Sequence, residues 1–215
     1  MMQGTSERTL ALDPPVRGEW AIFNPPGHPR LAFDLVAVDE GKSPYQGAGL
    51  LRHLFSRIPV TATRAWNKPV FAVMDGTVVA AGDGVADRED LCMAADLFRL
   101  MFSRPGPASP FSARAGNYVI LKCGDVYPVY AHLKKDTVRV RPGDAVRRGE
   151  QLGNVGNSGA SLQPHLHFQV MSTPDPLPLF GNLVAFTVSS VCRRRAGRWV
   201  ATDRLELASG DHLLF

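Results

Sequence analysis

Pro164-His165-Leu166-His167-Phe168-Gln169-Val170 alternates polar and apolar residues with a period of two. That is the pattern of a strand with one face buried. Leu166, Phe168 and Val170 are expected in the core, with His165, His167 and Gln169 on the opposite face. On a strand, histidines at i and i+2 share a side and sit roughly 6–7 Å apart. On a helix the same spacing would send them to nearly opposite sides. Such a pair can ligate one metal and leave the second imidazole free to act on a water. Taken alone it reads equally well as a half-buried pair with no metal.

Upstream, residues 31–38 read as a second strand. Ala32, Asp34, Val36 and Val38 share one face; Leu31, Phe33, Leu35 and Ala37 share the other. A carboxylate in an otherwise apolar strand is costly unless it is paired or binds a metal. Its other reading is a surface aspartate on an edge strand. The preceding loop, Asn24-Pro25-Pro26-Gly27-His28-Pro29, follows a short strand over 19–23.

Residues 68–81 read as two strands about an Asp75-Gly76 turn, a dipeptide that signals a hairpin or tight turn. Residues 117–123 and 126–133 read as a hairpin across Gly124-Asp125, with Tyr130 and His132 on one face. Residues 87–102 are expected to form a helix, with Asp87 as N-cap and an apolar stripe of Leu91, Ala95 and Phe98. A flexible loop, Gly156 to Ser161, leads into the opening stretch. Strands expected at 183–191 and 199–207 close the chain. His53 lacks a partner nearby in sequence and reads as incidental.

The chain has 215 residues, with 20 Gly and 17 Pro punctuating short apolar runs, which favours an all-β fold rich in turns. Net charge is +4. This mild basic excess permits an anionic partner, such as a cell-wall polymer or nucleic acid, without demanding one. Arg193-Arg194-Arg195 reads as a solvated run. Cys92, Cys123 and Cys192 form no CxxC, so a cysteine-based zinc site is not expected; one bridge and one free thiol remain open. Met1 to Asp13 lacks a basic start followed by an apolar run, so no signal peptide is read. No apolar stretch is long enough to cross a membrane. Read literally, the chain stays in the cytoplasm.

From about Pro69 to Val170 the chain resembles the lysostaphin-type (LytM-type) zinc endopeptidases, which cleave peptide cross-bridges in bacterial cell walls. The residues that carry the resemblance are Pro69-Val70-Phe71-Ala72 with Asp75-Gly76-Thr77-Val78-Val79, Gly116 to Ile120, Tyr130-Ala131-His132-Leu133, Val140 to Gly153, Gly156-Asn157-Ser158-Gly159, and Pro164 to Phe168. The resemblance implies an antiparallel β-sandwich of the duplicated hybrid motif type, here with one inserted helix. The chain then divides into a poorly ordered lead over 1–18 and one metallopeptidase-like domain over 19–215. That domain carries an insert at 84–115 and a C-terminal strand extension at 171–215.

The resemblance also implies roles. His167 is a ligand of a single zinc ion, His165 the general base, and His132 the group that steadies developing charge. The remaining ligands come from an upstream His and Asp, for which His28 and Asp34 are the candidates. The family usually separates these two by three residues; here five intervene, Pro29 among them. Tyr130 and Gln169 are candidate partners for the histidine rings. The implied substrate is a peptide, peptidoglycan or a related Gly/Ala-rich sequence, and no nucleic acid is expected. The implied location is the cell envelope. The alternative is a binding or regulatory module that kept the fold and lost the chemistry. Lipoyl-type and phosphocarrier modules share parts of the strand arrangement, but Asp75 stands where a carrier lysine would sit, and a metal-free histidine pair has no use for Asp34.

Overall fold

The computed structural model describes residues 10–24, 28–41, 43–46, 56–92, 95, 111–175 and 182–215. The strands of the N-terminal half are β1 (Leu10–Leu12), β2 (Glu19–Phe23), β3 (Ala32–Ala37), β4 (Ile58–Pro59), β5 (Pro69–Phe71), β6 (Gly76–Gly82) and β7 (Asp90–Leu91). A short helix, α1 (Phe111–Ala115), precedes β8 (Asn117–Lys122) and β9 (Tyr127–Leu133). Then follow β10 (Ala145–Val146), β11 (Gln151–Asn154), β12 (Leu166–Met171), β13 (Phe186–Val188), β14 (Val191–Arg195), β15 (Arg198–Thr202) and β16 (His212–Leu214).

Ten strands form one sheet in the order β10-β6-β8-β9-β12-β3-β2-β16-β14-β15. Every neighbouring pair in it is antiparallel. The small β5–β11 pair lies outside it. The main core joins the two layers: Phe33, Leu35, Tyr130, Leu166, Phe168 and Val170 of the large sheet pack in one cluster with Val70 and Leu152 of the small pair. Alternation decides the faces. In β12, Leu166, Phe168 and Val170 are fully buried in this core, so His165, His167 and Gln169 occupy the other face. In β3, Phe33 and Leu35 face the core and Asp34 faces away from it.

The fold departs from the sequence reading in several places. β5 and β6 do not pair with each other: β5 pairs with β11, and β6 with β8 and β10. The Val73–Asp75 bend carries the chain from one layer to the other, because Val70, Ala72 and Val73 are buried between the layers. The expected helix over 87–102 does not begin at Asp87. Asp87 makes a bridge to Ser158, and Asp90–Leu91 is a strand paired with Ile58–Pro59. Leu91 is drawn there into a satellite cluster with Tyr45, Ile58 and Val60. Residues 93–94 and 96–102 of that expectation, and His53, lie outside the described residues.

The lead is also more ordered than expected from residue 10 onward. Leu10–Leu12 pairs in parallel with Phe186–Val188, and Leu12 and Val16 join the core. Backbone bonds tie it further: the Asp13 N–H donates to the Val73 carbonyl at 3.2 Å, and the Pro15 carbonyl accepts from the Phe71 N–H at 2.8 Å. Arg193 and Arg194 are not a solvated run. They lie in β14, where Arg193 meets the buried Asp211 and Arg194 lies 3.5 Å from Glu19. Cys123 and Cys192 are free thiols.

Candidate metal centre

β12 and β3 are adjacent, and their register sets His167 opposite Asp34. Directly opposed residues of an antiparallel pair share a face. His167 Nδ1 accordingly lies 3.0 Å from Asp34 Oδ1. His28 is outside β3, in the loop that precedes it, yet its Nε2 lies 3.2 Å from His167 Nδ1 and 3.5 Å from Asp34 Oδ1. His165 approaches from the same face of the sheet, its Nε2 3.4 Å from Asp34 Oδ1. The His132 ring stands 4.7 Å from that of His165 and 5.9 Å from that of His167, centre to centre. All five residues named from the sequence therefore meet at one place.

His132 gets there by breaking the alternation. Ala131 lies opposite His167 and Tyr130 opposite Phe168, so a regular strand would send His132 to the core side with Tyr130. Its φ of 60° lies in the left-handed region and turns the ring toward the histidines instead. Tyr130 is not a partner of those rings. It is fully buried in the core, and its hydroxyl accepts from the Val73 N–H at 3.0 Å.

The far nitrogen of each imidazole is held by an acceptor, and this fixes where the near lone pair points. His28 Nδ1–H donates to the Ala32 carbonyl at 3.2 Å. His167 Nε2–H donates to Gln169 Oε1 at 3.1 Å. His165 Nδ1–H donates to the Gln163 carbonyl at 2.8 Å, and His132 Nδ1–H to the Ser158 carbonyl at 2.9 Å. As neutral rings, His28 and His167 thus turn bare nitrogens toward each other and toward a carboxylate. Burial lowers the His28 pKa despite the nearby Asp34. Burial, reinforced by His165 and His167, holds His132 well below the usual histidine range. At His165 burial pulls the other way from Asp34, and the carboxylate wins, so its pKa is raised. Burial would raise the Asp34 pKa, but the charge of His165 and the hydrogen bonds that His165 and His167 donate when their rings carry a second proton hold it well below the usual carboxylate range.

Lone pairs facing an ionised carboxylate at such distances repel unless a cation or a proton lies among them. The donor atoms of His28, Asp34 and His167 lie within 4.8 Å of one another. Two imidazoles and one carboxylate are a donor set for zinc, and ligands about 2.0–2.1 Å from a tetrahedral zinc stand about 3.3 Å apart. The three separations here, 3.0, 3.2 and 3.5 Å, bracket that edge. The residues present therefore fit the ion.

The layer behind the histidines was not legible as functional. Asn117 is fully buried. Its side-chain Oδ1 accepts from the Val85 N–H at 2.8 Å, and its Nδ2 donates to the carbonyls of Val85 at 2.9 Å and Leu133 at 3.0 Å. Ser158, whose carbonyl holds His132, donates its hydroxyl to the Leu133 carbonyl at 2.7 Å and accepts from the Asn117 backbone N–H at 3.0 Å. Asp87 clips the same loop by accepting from the Asn157 and Lys135 backbone N–H groups at 2.6 and 2.8 Å. The loop passes so close to Gly116 that a Cβ there would stand 2.3 Å from Ser158 Oγ, and Gly116 has a φ of +64°. In the sequence this layer showed only as Gly116-Asn117 before a strand and the Gly156-Asn157-Ser158-Gly159 loop.

Residues 105–178 match the sequence profile of peptidase family M23. The peptidoglycan DD-endopeptidase ShyA of Vibrio cholerae is 33% identical over 88 residues, which are 40% of this chain and 20% of ShyA. An uncharacterized metalloprotease of Haemophilus influenzae is 34% identical over 116 residues, 53% of this chain and 20% of that protein. The chain thus spans about a fifth of the length of these curated relatives, 20% of each. Among solved structures, the catalytic domain of the prophage-encoded M23 protein EnpA of Enterococcus faecalis, crystallised as a point mutant, aligns with 77% of this chain and 87% of its own at 18% identity and a TM-score of 0.42.

Proposed function

Because this chain carries a peptidase family M23 domain of the lysostaphin/LytM type, we propose that it is a zinc-dependent endopeptidase acting on peptide bonds of peptidoglycan or related Gly/Ala-rich peptides. The reading rests on one observation. His28 Nε2, Asp34 Oδ1 and His167 Nδ1 converge with separations of 3.0–3.5 Å, each ring oriented by an acceptor on its far side. These three residues hold the ion. When bound, zinc polarises the scissile carbonyl and lowers the pKa of water to about 7.

The chain's own residues then handle the protons. His165 Nε2, bare and turned toward the ligands, accepts the proton of the attacking water and passes it to the leaving amine. Asp34 Oδ1, 3.4 Å away, stabilises His165 while it is charged. His132 has its Nδ1–H committed to the Ser158 carbonyl. Its Nε2 is therefore the atom left to face a developing oxyanion, to which it donates only while the ring carries a second proton, a state that burial disfavours before the reaction.

The test is metal content and turnover of cross-linked peptidoglycan in three proteins. The parent should hold one zinc per chain and release soluble fragments. His167→Ala should lose both zinc and turnover; His165→Ala should keep zinc and lose turnover. Full activity in His165→Ala overturns its role, and a parent that binds zinc but hydrolyses nothing is a binding module instead.

A further inference from the structure

A metal ligand on a strand is held by the sheet's own hydrogen bonds. Asp34 and His167 lie in β3 and β12 and have that support. His28 does not: β3 starts only at Ala32, and the chain between them turns through Pro29. Something outside the sheet must hold this loop against the site.

The contacts at the end of β2 supply it. Asn24 directly follows β2, and its amide nitrogen donates twice, to the Pro29 carbonyl at 2.9 Å and to the Ala32 carbonyl at 3.1 Å. Both partners can only accept, so the amide's orientation follows from chemistry. The same two carbonyls organise the turn. Pro29 O also accepts from the Ala32 N–H at 3.1 Å, and Ala32 O also accepts from His28 Nδ1 at 3.2 Å. One side-chain amide thus ties the two ends of the turn together at the very carbonyl that orients the His28 ring. Asn24 is in turn anchored through its backbone N–H, which donates to Ser209 Oγ at 3.2 Å, just before β16.

We propose that Asn24 is the positioning residue for the His28 ligand: its amide holds the 28–32 turn in the shape that brings His28 Nε2 to the metal. This rests on the zinc reading above. The assignment concerns metal affinity, so the decisive measurement is the zinc dissociation constant, read by competition with a chromophoric chelator, beside the melting temperature of the metal-free protein. Asn24→Asp has the same shape but cannot donate to either carbonyl; Asn24→Ala removes the amide altogether. Both should weaken zinc binding by about 10–100-fold, the usual effect of losing a residue that orients a ligand. The metal-free melting temperature should move by only a few degrees.

A double-mutant cycle separates positioning from a general weakening. In a His28→Ala background, Asn24→Ala should weaken zinc no further, because the ligand it serves is gone. Zinc affinity within twofold of the parent in both single variants overturns the proposal, while the zinc reading stands. So does an equal loss with and without His28. If neither variant folds, Asn24 holds the fold rather than the ligand, and the proposal fails. A parent that binds no zinc removes this proposal and the metal reading together.

Discussion

Asn117→Asp changes one group by almost no volume, so its effect reads hydrogen bonding without a cavity term. The aspartate can keep the bond from the Val85 N–H, now made at 2.8 Å. It loses both donations, to Val85 O at 2.9 Å and to Leu133 O at 3.0 Å, and sets a carboxyl oxygen against those carbonyls. Leu133 O retains the Ser158 hydroxyl, whereas no other bond to Val85 O is seen among the described residues. Two neutral hydrogen bonds are worth about 2 kcal/mol net, and leaving the part-buried Val85 carbonyl without a partner costs about 1–3 kcal/mol more. The expected loss is therefore about 3–5 kcal/mol. At about 2–4 °C per kcal/mol for a chain of this size, the melting temperature should fall by about 6–20 °C.

The loss should also depend on pH, with a definite sign. A carboxyl buried against two carbonyls is favoured in its protonated form, so its folded pKa lies above the unfolded value. Its contribution to stability is then fully present below the unfolded pKa and is lost as pH rises through the folded one. The deficit relative to the parent should be smallest near pH 4–5 and grow toward about pH 8, by this linkage. Thermal melts of both proteins by circular dichroism across that range, with zinc chelated, measure it. A deficit below about 1 kcal/mol, or one that is flat with pH, would refute the account of Asn117 as a buried donor to two carbonyls. Because Asn117 and Ser158 share the Leu133 carbonyl, turnover should fall as well, through a loosened His132.

Gln169→Leu removes the acceptor that keeps the proton on His167 Nε2 and the lone pair on Nδ1. Zinc affinity should drop about 10-fold or more in a chelator competition; unchanged affinity would mean that Gln169 does not set the ring. Adding zinc to metal-free protein at a free concentration about 1,000 times its dissociation constant should add about 4 kcal/mol of stability. That is a rise of about 8–16 °C in melting temperature, absent in His167→Ala; equal shifts in both proteins would place the zinc elsewhere. Burial, aided by Asp75, pushes the Cys123 thiol up to about 11. Ellman's reagent at about pH 8, well below that value, should therefore leave Cys123 unreacted in the native chain and titrate it after denaturation; rapid reaction of Cys123 in the native state, located by peptide mapping, would contradict its burial.

How much of the site could be read in advance differs from residue to residue. His165, His167 and Asp34 were legible because strand alternation is a local property. A period of two assigns a face whatever the rest of the chain does, and the core side of β12 and β3 follows it residue by residue. The same rule failed at His132, where a single left-handed φ reverses the side. It could not reveal that the segments either side of Asp75-Gly76 enter different layers. Nor could the apolar stripe of 87–102 disclose that Leu91 is claimed by Ile58 in a distant strand.

The sequence by itself determined the chemistry on offer: a strand with two histidines on its open face, a carboxylate on the open face of another, and an all-β scaffold to carry them. Tertiary structure alone decided that these groups meet. The register of β12 on β3 puts His167 opposite Asp34 across 133 positions of chain. The turn bound by Asn24 brings in His28, and the Asn117–Ser158–Leu133 network holds His132. The physical reason is the range of the interactions involved. Alternation is set by the backbone of neighbouring residues, whereas donor and acceptor partners are chosen by which strands become adjacent, and that choice belongs to the packing of the whole chain.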